Sequence, residues 1–208
     1  MTTTTARTGL RQLRHTDGWI FGTMLLSACI SLLASFVLAI DAVELAANPN
    51  AALSCNISAT LSCGAVGSAW QASLFGFPNA FLGLVAEPVV ITIAVAGLGG
   101  VRFPRWFMCA AQVVYTLGLV FAYWLFYQSM FNIGALCPWC LLVTLSTTLV
   151  FATLLHYNLR ENNLYLRPRA HERAVELIRA GWDGVVVLGW LGLVVVAIIL
   201  KYGTSLLP

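Results

Sequence analysis

The sequence predicts an all-α integral membrane protein with five transmembrane helices. Three observations carry that prediction. Of the 208 residues 60% are hydrophobic and only 9% charged, five uninterrupted apolar runs are long enough to cross a bilayer, and the basic residues cluster between alternate runs. Soluble domains carry roughly 25% charged residues. With a mean hydropathy of +0.86, the chain has no polar stretch long enough for a soluble domain beside the bundle. Residues 1–208 therefore read as one membrane domain surrounded by lipid, with no nucleic-acid partner expected.

A hydrocarbon core is crossed by about 20 apolar residues. The five runs are Trp19 to Ile40, Ala80 to Leu98, Trp106 to Ser129, Leu136 to Tyr157 and Gly184 to Leu200. The first follows Arg7, Arg11 and Arg14 as the apolar part of a signal peptide would, but it exceeds the roughly 7 to 15 residues of such a region and reads as a permanent anchor. Lipid offers the backbone no hydrogen-bond partner, so each run must be helical. The recurring Gly and Ala suit close helix packing.

Orientation follows from the basic residues. Arg7, Arg11 and Arg14 precede the first helix, and Arg102 and Arg105 separate the second and third. Arg160, Arg167, Arg169, Arg173 and Arg179 separate the fourth and fifth. By the positive-inside rule the N-terminus (residues 1–18) and the linker 158–183 are cytoplasmic, while Lys201 and the tail lie outside. The outer connections are then residues 41–79 and the short turn Met130 to Ala135. This is the layout of a multi-pass inner (plasma) membrane protein. Within the long loop, Ala65 to Phe77 spaces Trp70, Leu74, Phe75 and Phe77 as an interfacial helix would.

Four of the six cysteines fall on the outer, oxidising side of a topology read from arginines alone. Disulfides form and persist on that side. Cys55 and Cys63 lie in the long loop, and Cys137 and Cys140 form Cys-Pro-Trp-Cys at the mouth of the fourth helix. With Cys137 as N-cap, Pro138 takes the first helical position, where its missing N–H costs nothing. Cys137 then faces the positive end of the helix dipole, which favours its thiolate. Cys140, one turn deeper, points to the bundle interior, where a hydrophobic quinone could enter from lipid. The outer sulfur is placed for thiol exchange and the inner one for the quinone.

Other readings of these residues stay open at this point. A lone Cys-x-x-Cys also suits half a metal site or two core thiols, and Cys55 and Cys63 could form a purely structural staple. Two pairs on one face favour exchange between dithiols. No metal is expected, because His15, His156 and His171 are all assigned to the opposite side and the cysteine spacing is weak for zinc. Cys29 and Cys109, inside the first and third helices, read as inert small hydrophobes. Gly64 and Gly67 are expected to give the loop freedom to bring Cys63 to Cys137. Glu87, beside Pro88 in the second helix, reads either as a neutral hydrogen-bonded acid filling a helix break or as a proton relay.

A cysteine pair in the first outer loop, Phe75-Gly76-Phe77-Pro78-Asn79 before the second helix, and Ala135-Leu136-Cys137-Pro138-Trp139-Cys140 before the fourth together resemble the vitamin K epoxide reductase family. The likeness is to its bacterial disulfide-forming homologues without a fused thioredoxin-like domain, and it covers roughly Trp19 to Tyr157. It implies a four-helix catalytic core bundle (residues 19–157) around a quinone, menaquinone or ubiquinone, with the fifth C-terminal helix (184–201) outside the core. It further implies that Cys137 and Cys140 are the active-site pair, Cys140 nearest the quinone, and that Cys55 and Cys63 are the shuttle pair.

Asn79 matches the family's asparagine and is the candidate donor to a quinone carbonyl; as a bare residue it also suits a helix N-cap. The family's usual loop serine is replaced by Ala69, which leaves Ser68, one place earlier, as the candidate hydroxyl. Thr144 stands where vertebrate members carry a quinone-binding tyrosine, so vitamin K epoxide chemistry is not implied. The chain ends soon after Lys201, so the electron donor is expected to be a separate periplasmic thioredoxin-fold dithiol protein. The expected activity is that of a protein dithiol:quinone oxidoreductase passing electrons from Cys55/Cys63 to Cys137/Cys140 to quinone. The alternative is a non-catalytic membrane scaffold with two structural disulfides. An unrelated oxidase of the disulfide-bond protein B type runs the same reaction with its two pairs in the reverse order along the chain, and only Glu87 speaks for a transporter.

Overall fold

The computed structural model describes residues 14–206, so Arg7 and Arg11 lie outside the described residues. Five helices are long and apolar enough to cross a membrane: α1 (Asp17–Ala47), α3 (Ala80–Leu98), α4 (Arg105–Gln128), α5 (Pro138–Arg160) and α7 (Trp182–Leu206). Between them lie a short α2 (Cys63–Gly67), a 3-10 turn (Trp70–Ser73) and α6 (Pro168–Ala180). The protein is thus an all-helical, multi-pass membrane bundle.

α1 presents a stripe of small buried residues, Ser27, Ala28, Ser31, Ala34 and Ser35. Spacing by three and four keeps them on one face, and α3 approaches that face closely. A Cβ on Gly83 would stand 2.1 Å from Ser35 Oγ, and one on Gly97 would stand 2.6 Å from the Phe21 ring. Ile20, Phe21, Met24, Val90, Ile93, Met108, Val150 and Leu154 fill the core in one half of the bundle. Asn158, fully buried in α5, donates to Met108 O and Gln112 Oε1, both at 3.1 Å, and so joins α5 to α4.

The basic clusters meet at one end. Arg14 pairs with Asp183 at 3.0 Å and Arg102 with Glu161 at 3.4 Å, Arg160 pairs with Asp17, and Arg105 donates to Asn162 O at 3.1 Å. His156 Nδ1 lies 2.7 Å from the same Asp183 carboxylate. The two contacts to Asp183 anchor the start of α7, and the Tyr202 hydroxyl donating to Met130 O at 3.1 Å anchors its other end. Between them α7 lies along the side of the bundle, touching it through Trp190, Ala197 and Ile198, with no residue of its apolar span fully buried.

Several boundaries differ from the sequence expectation, each for a local reason. α1 continues past Ile40 to Ala47, because Asp41 to Ala47 holds good helix formers and nothing stops the helix before Asn48-Pro49. The expected interfacial helix over Ala65 to Phe77 does not form as one piece. It is broken after Gly67 into α2 and the 3-10 turn, and Gly76 at φ +81° turns the chain toward Pro78. Its rings instead meet α4, Phe75 against Phe121 and Trp70 against Trp124. The turn Met130 to Ala135 opens as a π-helical extension of α4, Ser129–Ile133, closed by left-handed Gly134. The linker 158–183 contains α6, with Pro168 in its first turn and Gly181 as a left-handed C-cap.

Candidate active site

At the end opposite the arginines, two short extended segments run side by side. Leu61 and Leu136 form a parallel bridge, with Ser62 N–H donating to Leu136 O at 3.0 Å and Leu136 N–H to Thr60 O at 2.8 Å. Each segment then enters a helix. Ser62 caps α2, its Oγ accepting from Ala65 N–H at 3.1 Å, and Cys137 caps α5, its Sγ accepting from Cys140 N–H at 3.3 Å. The bridge therefore sets the start of α2 against the cap of α5. The result is a contact of 3.3 Å between Cys137 Sγ and Cys63 Sγ.

Cys63 is bonded to Cys55, with their Cα atoms 5.6 Å apart, while Cys137 and Cys140 are free thiols. Asn56 Oδ1 accepts from Gly64 N–H at 2.9 Å and Ser62 Oγ at 3.0 Å, which steadies the loop around the disulfide. Gly64 and Gly67 lie inside α2 and serve close approach rather than the loop freedom expected of them. A Cβ at Gly67 would meet Leu45 Cδ1 at 2.9 Å, and one at Gly64 would meet the Asn56 amide at 3.1 Å.

Three of the four cysteines are buried. Cys55 is 5%, Cys63 3% and Cys137 1% exposed, packed with Leu53, Leu38, Leu45, Val66 and Trp139. Cys140 is half-buried. Cys137 precedes the first residue of its span. Its thiol is held below the ordinary value, first by a hydrogen bond from the Cys140 thiol; burial opposes this, and the N–H groups of Cys140 and Trp139 assist it. Donors at a helix N-terminus stabilise thiolate in this way.

Beneath the sulfurs an apolar cavity of about 760 Å³ opens between α1, α3, α4 and α5. Its size lies within the roughly 300 to 1,000 Å³ usual for small-molecule sites. Cys137, Cys140, Asn79, Thr144, Gln71 and Glu87 all reach its wall. Asn79 occupies the N-cap position of α3 without capping it: its Nδ2 donates to Gln71 O at 2.6 Å, and its buried Oδ1 has no partner. Thr144 donates to Cys140 O at 2.9 Å.

Ser68, the fourth sequence candidate for this cavity, is exposed at the C-cap of α2 and is not on the wall. The residue of that segment that does reach it is Gln71, whose amide donates to Gln128 Oε1 at 3.5 Å. Sequence reasoning missed Gln71 because the segment was expected to be a continuous helix with a different facing. Glu87 accepts from Ser31 Oγ at 2.7 Å and from the Tyr115 hydroxyl at 3.1 Å, joining α1, α3 and α4. α3 continues through Pro88, so Glu87 fills no helix break. Cys29 and Cys109 lie away from the cavity.

Fold and site together define a multi-pass membrane protein built around clustered cysteines above an apolar cavity. The vitamin K epoxide reductase family model matches residues 23–155, which is well over half of the chain and nearly all of the bundle from α1 to α5, and the chain belongs to that family. It is accordingly an oxidoreductase of a family whose chemistry lies with thiols and quinones. No curated protein matches the chain.

Proposed function

We propose that this protein is a quinone-dependent thiol oxidase of the plasma membrane. It makes disulfides for a separate thioredoxin-fold dithiol protein on the outer, cysteine-bearing side, with the arginine-rich end in the cytoplasm. The observation that carries this reading is the 3.3 Å contact of Cys63 with Cys137, at the head of a cavity that also reaches Cys140.

The cycle begins with both pairs oxidised. A partner thiolate attacks Cys55, and Cys63 leaves as thiolate. The partner's second thiol then closes its own disulfide and releases Cys55. Cys63 attacks Cys137, freeing Cys140, and Cys55 attacks Cys63, freeing Cys137. Each step forms one S–S bond and breaks one, by thiolate attack. The cysteines then hold the pattern seen here, with Cys55 joined to Cys63 and the inner pair reduced. A quinone, menaquinone or ubiquinone, supplies the acceptor for two electrons and two protons, and the Cys137–Cys140 disulfide is regenerated.

The cavity residues fit such a ring: the walls are apolar, and the unpartnered Oδ1 of Asn79 is an acceptor for the hydroxyl of the reduced ring. Cys140 borders this space, Asn79 and Thr144 offer polar atoms to orient a head group, and the apolar walls exclude water. The test uses purified protein with its cysteines first reduced. On adding quinone, thiol labelling and mass spectrometry should show both pairs reoxidised, and added quinol should reverse the inner one. A scaffold with structural disulfides would respond to neither, and that result would overturn the proposal.

A further inference from the structure

We infer that Asp41 is a catalytic residue, the carboxylate that takes the proton from Cys55 when Cys55 attacks Cys63 and returns it when Cys55 is released. The inference rests on the relay reading above. Asp41 lies beyond the expected end of the first apolar run, on the part of α1 that continues to Ala47. From there its Oδ2 stands 3.6 Å from Cys55 Sγ. Its carboxylate and the sulfurs of Cys55 and Cys63 all lie within 4.8 Å of one another.

Asp41 is half-buried on the cavity wall, and among the described residues it forms no ion pair with a cation. The titratable groups that face it are Cys55 and Cys63 of the loop, Cys137 and Cys140 of α5, and Glu44 one turn along α1. In the disulfide state Cys55 has no proton to give, and the sulfur and carboxylate simply touch. Once Cys55 is a thiol, the same contact is a hydrogen bond to a base.

The step then balances. The Cys55 S–H proton passes to Asp41 Oδ2, and the sulfur electron pair attacks Cys63 Sγ. The Cys55–Cys63 bond forms, the Cys63–Cys137 bond breaks, and Cys137 departs as thiolate. When the partner later leaves Cys55, the acid form of Asp41 protonates the departing sulfur. A carboxylate suits this task because Cys55, buried among apolar groups, gains no solvent help in ionising.

The experiment is a single turnover in the intact membrane protein, starting from oxidised Cys137–Cys140 and reduced Cys55 and Cys63. Acid-quenched samples are mapped for the Cys63–Cys137 intermediate. General-base assistance is worth on the order of 10² to 10⁴ in rate. Asp41→Asn should therefore slow resolution of the intermediate at neutral pH by at least about 10²-fold, with the loss shrinking as pH rises and Cys55 ionises unaided. Glu44→Gln should keep the wild-type rate.

The wild type offers a second test that needs no variant. While Asp41 is ionised the resolution rate should stay flat as pH rises toward about 8, whereas an unassisted thiol of ordinary pKa near 8.5 would quicken about tenfold per pH unit. Asp41→Asn resolving at the wild-type rate, or a wild-type rate that climbs tenfold per unit, overturns this inference. If no exchange between the two pairs occurs in the wild type at all, it is the relay reading that fails.

Discussion

Replacing Cys55 by serine removes the loop sulfur that carries the relay forward by reclaiming Cys63 from Cys137, so Cys55→Ser should accumulate a Cys63–Cys137 disulfide with Cys140 free. The two sulfurs already stand 3.3 Å apart, inside the roughly 3 to 3.5 Å of a near-attack arrangement. A displacement of about 1 Å from such geometry can cost on the order of 10²-fold. Adding Cys140→Ser to Cys55→Ser or to Cys63→Ser leaves one loop thiol and one active-site thiol, and added diamide takes up the two electrons and two protons released when they join. The chain that keeps Cys63 should then close at least about 10²-fold faster than the chain that keeps Cys55. Non-reducing peptide mapping by mass spectrometry, with timed alkylation, reads both the bond and its rate. An intact Cys137–Cys140 bridge with free Cys63 in Cys55→Ser, or faster closure onto Cys55, would show that the loop cysteines have the opposite roles.

Cys140→Ser should abolish quinone reduction, while Cys29→Ala and Cys109→Ala should leave turnover within a few-fold; a large loss from either would bring a helix cysteine into the relay. Glu87→Gln keeps the contacts with Ser31 and Tyr115 and should barely change turnover, so a slowed but folded variant would mark Glu87 as a proton carrier. Gly83→Ala places a Cβ 2.1 Å from Ser35 Oγ and should destabilise the bundle by roughly 1 to 3 kcal/mol, visible as a lower unfolding temperature in detergent. Unchanged stability would mean that α1 and α3 can part without cost. A reporter fused after Arg169 should stay inside and one after Pro208 should be exported; finding both on one side would refute the orientation and the spanning of α7.

What could be read from the sequence follows physical period and length. Five apolar runs, the cap at Cys137 with Pro138 behind it, and the sidedness of the arginines are local or additive signals, and the structure has five long apolar helices with Cys137 and Pro138 in those positions. The extension of α1 was hidden because apolarity marks the bilayer rather than the helix, and Asp41 was hidden with it. The Leu61–Leu136 bridge involves a single residue pair far apart in the chain, too short for any alternation to announce. The contact of Cys63 with Cys137 depends on that bridge. The exchange of Ser68 for Gln71 on the cavity wall turns instead on a helix break after Gly67 that interfacial spacing alone does not reveal.

The sealing of Cys55, Cys63 and Cys137 bears on traffic as well as on chemistry. A store of oxidising power facing a thiol-bearing compartment is open to short circuit, since any small thiol could drain it. Here Cys55, Cys63 and Cys137 are packed among leucines and Trp139, and of the four cysteines only Cys140 is partly open, on the cavity side. In the proposed relay a true substrate must bind and shift the loop before Cys55 is reached. The loop is tied through Leu61 to the very segment that presents Cys137, so a shift large enough to break that tie would draw Cys63 away from its neighbour. Delivery from outside and transfer within then take turns, and the pool of quinone is tapped one disulfide at a time.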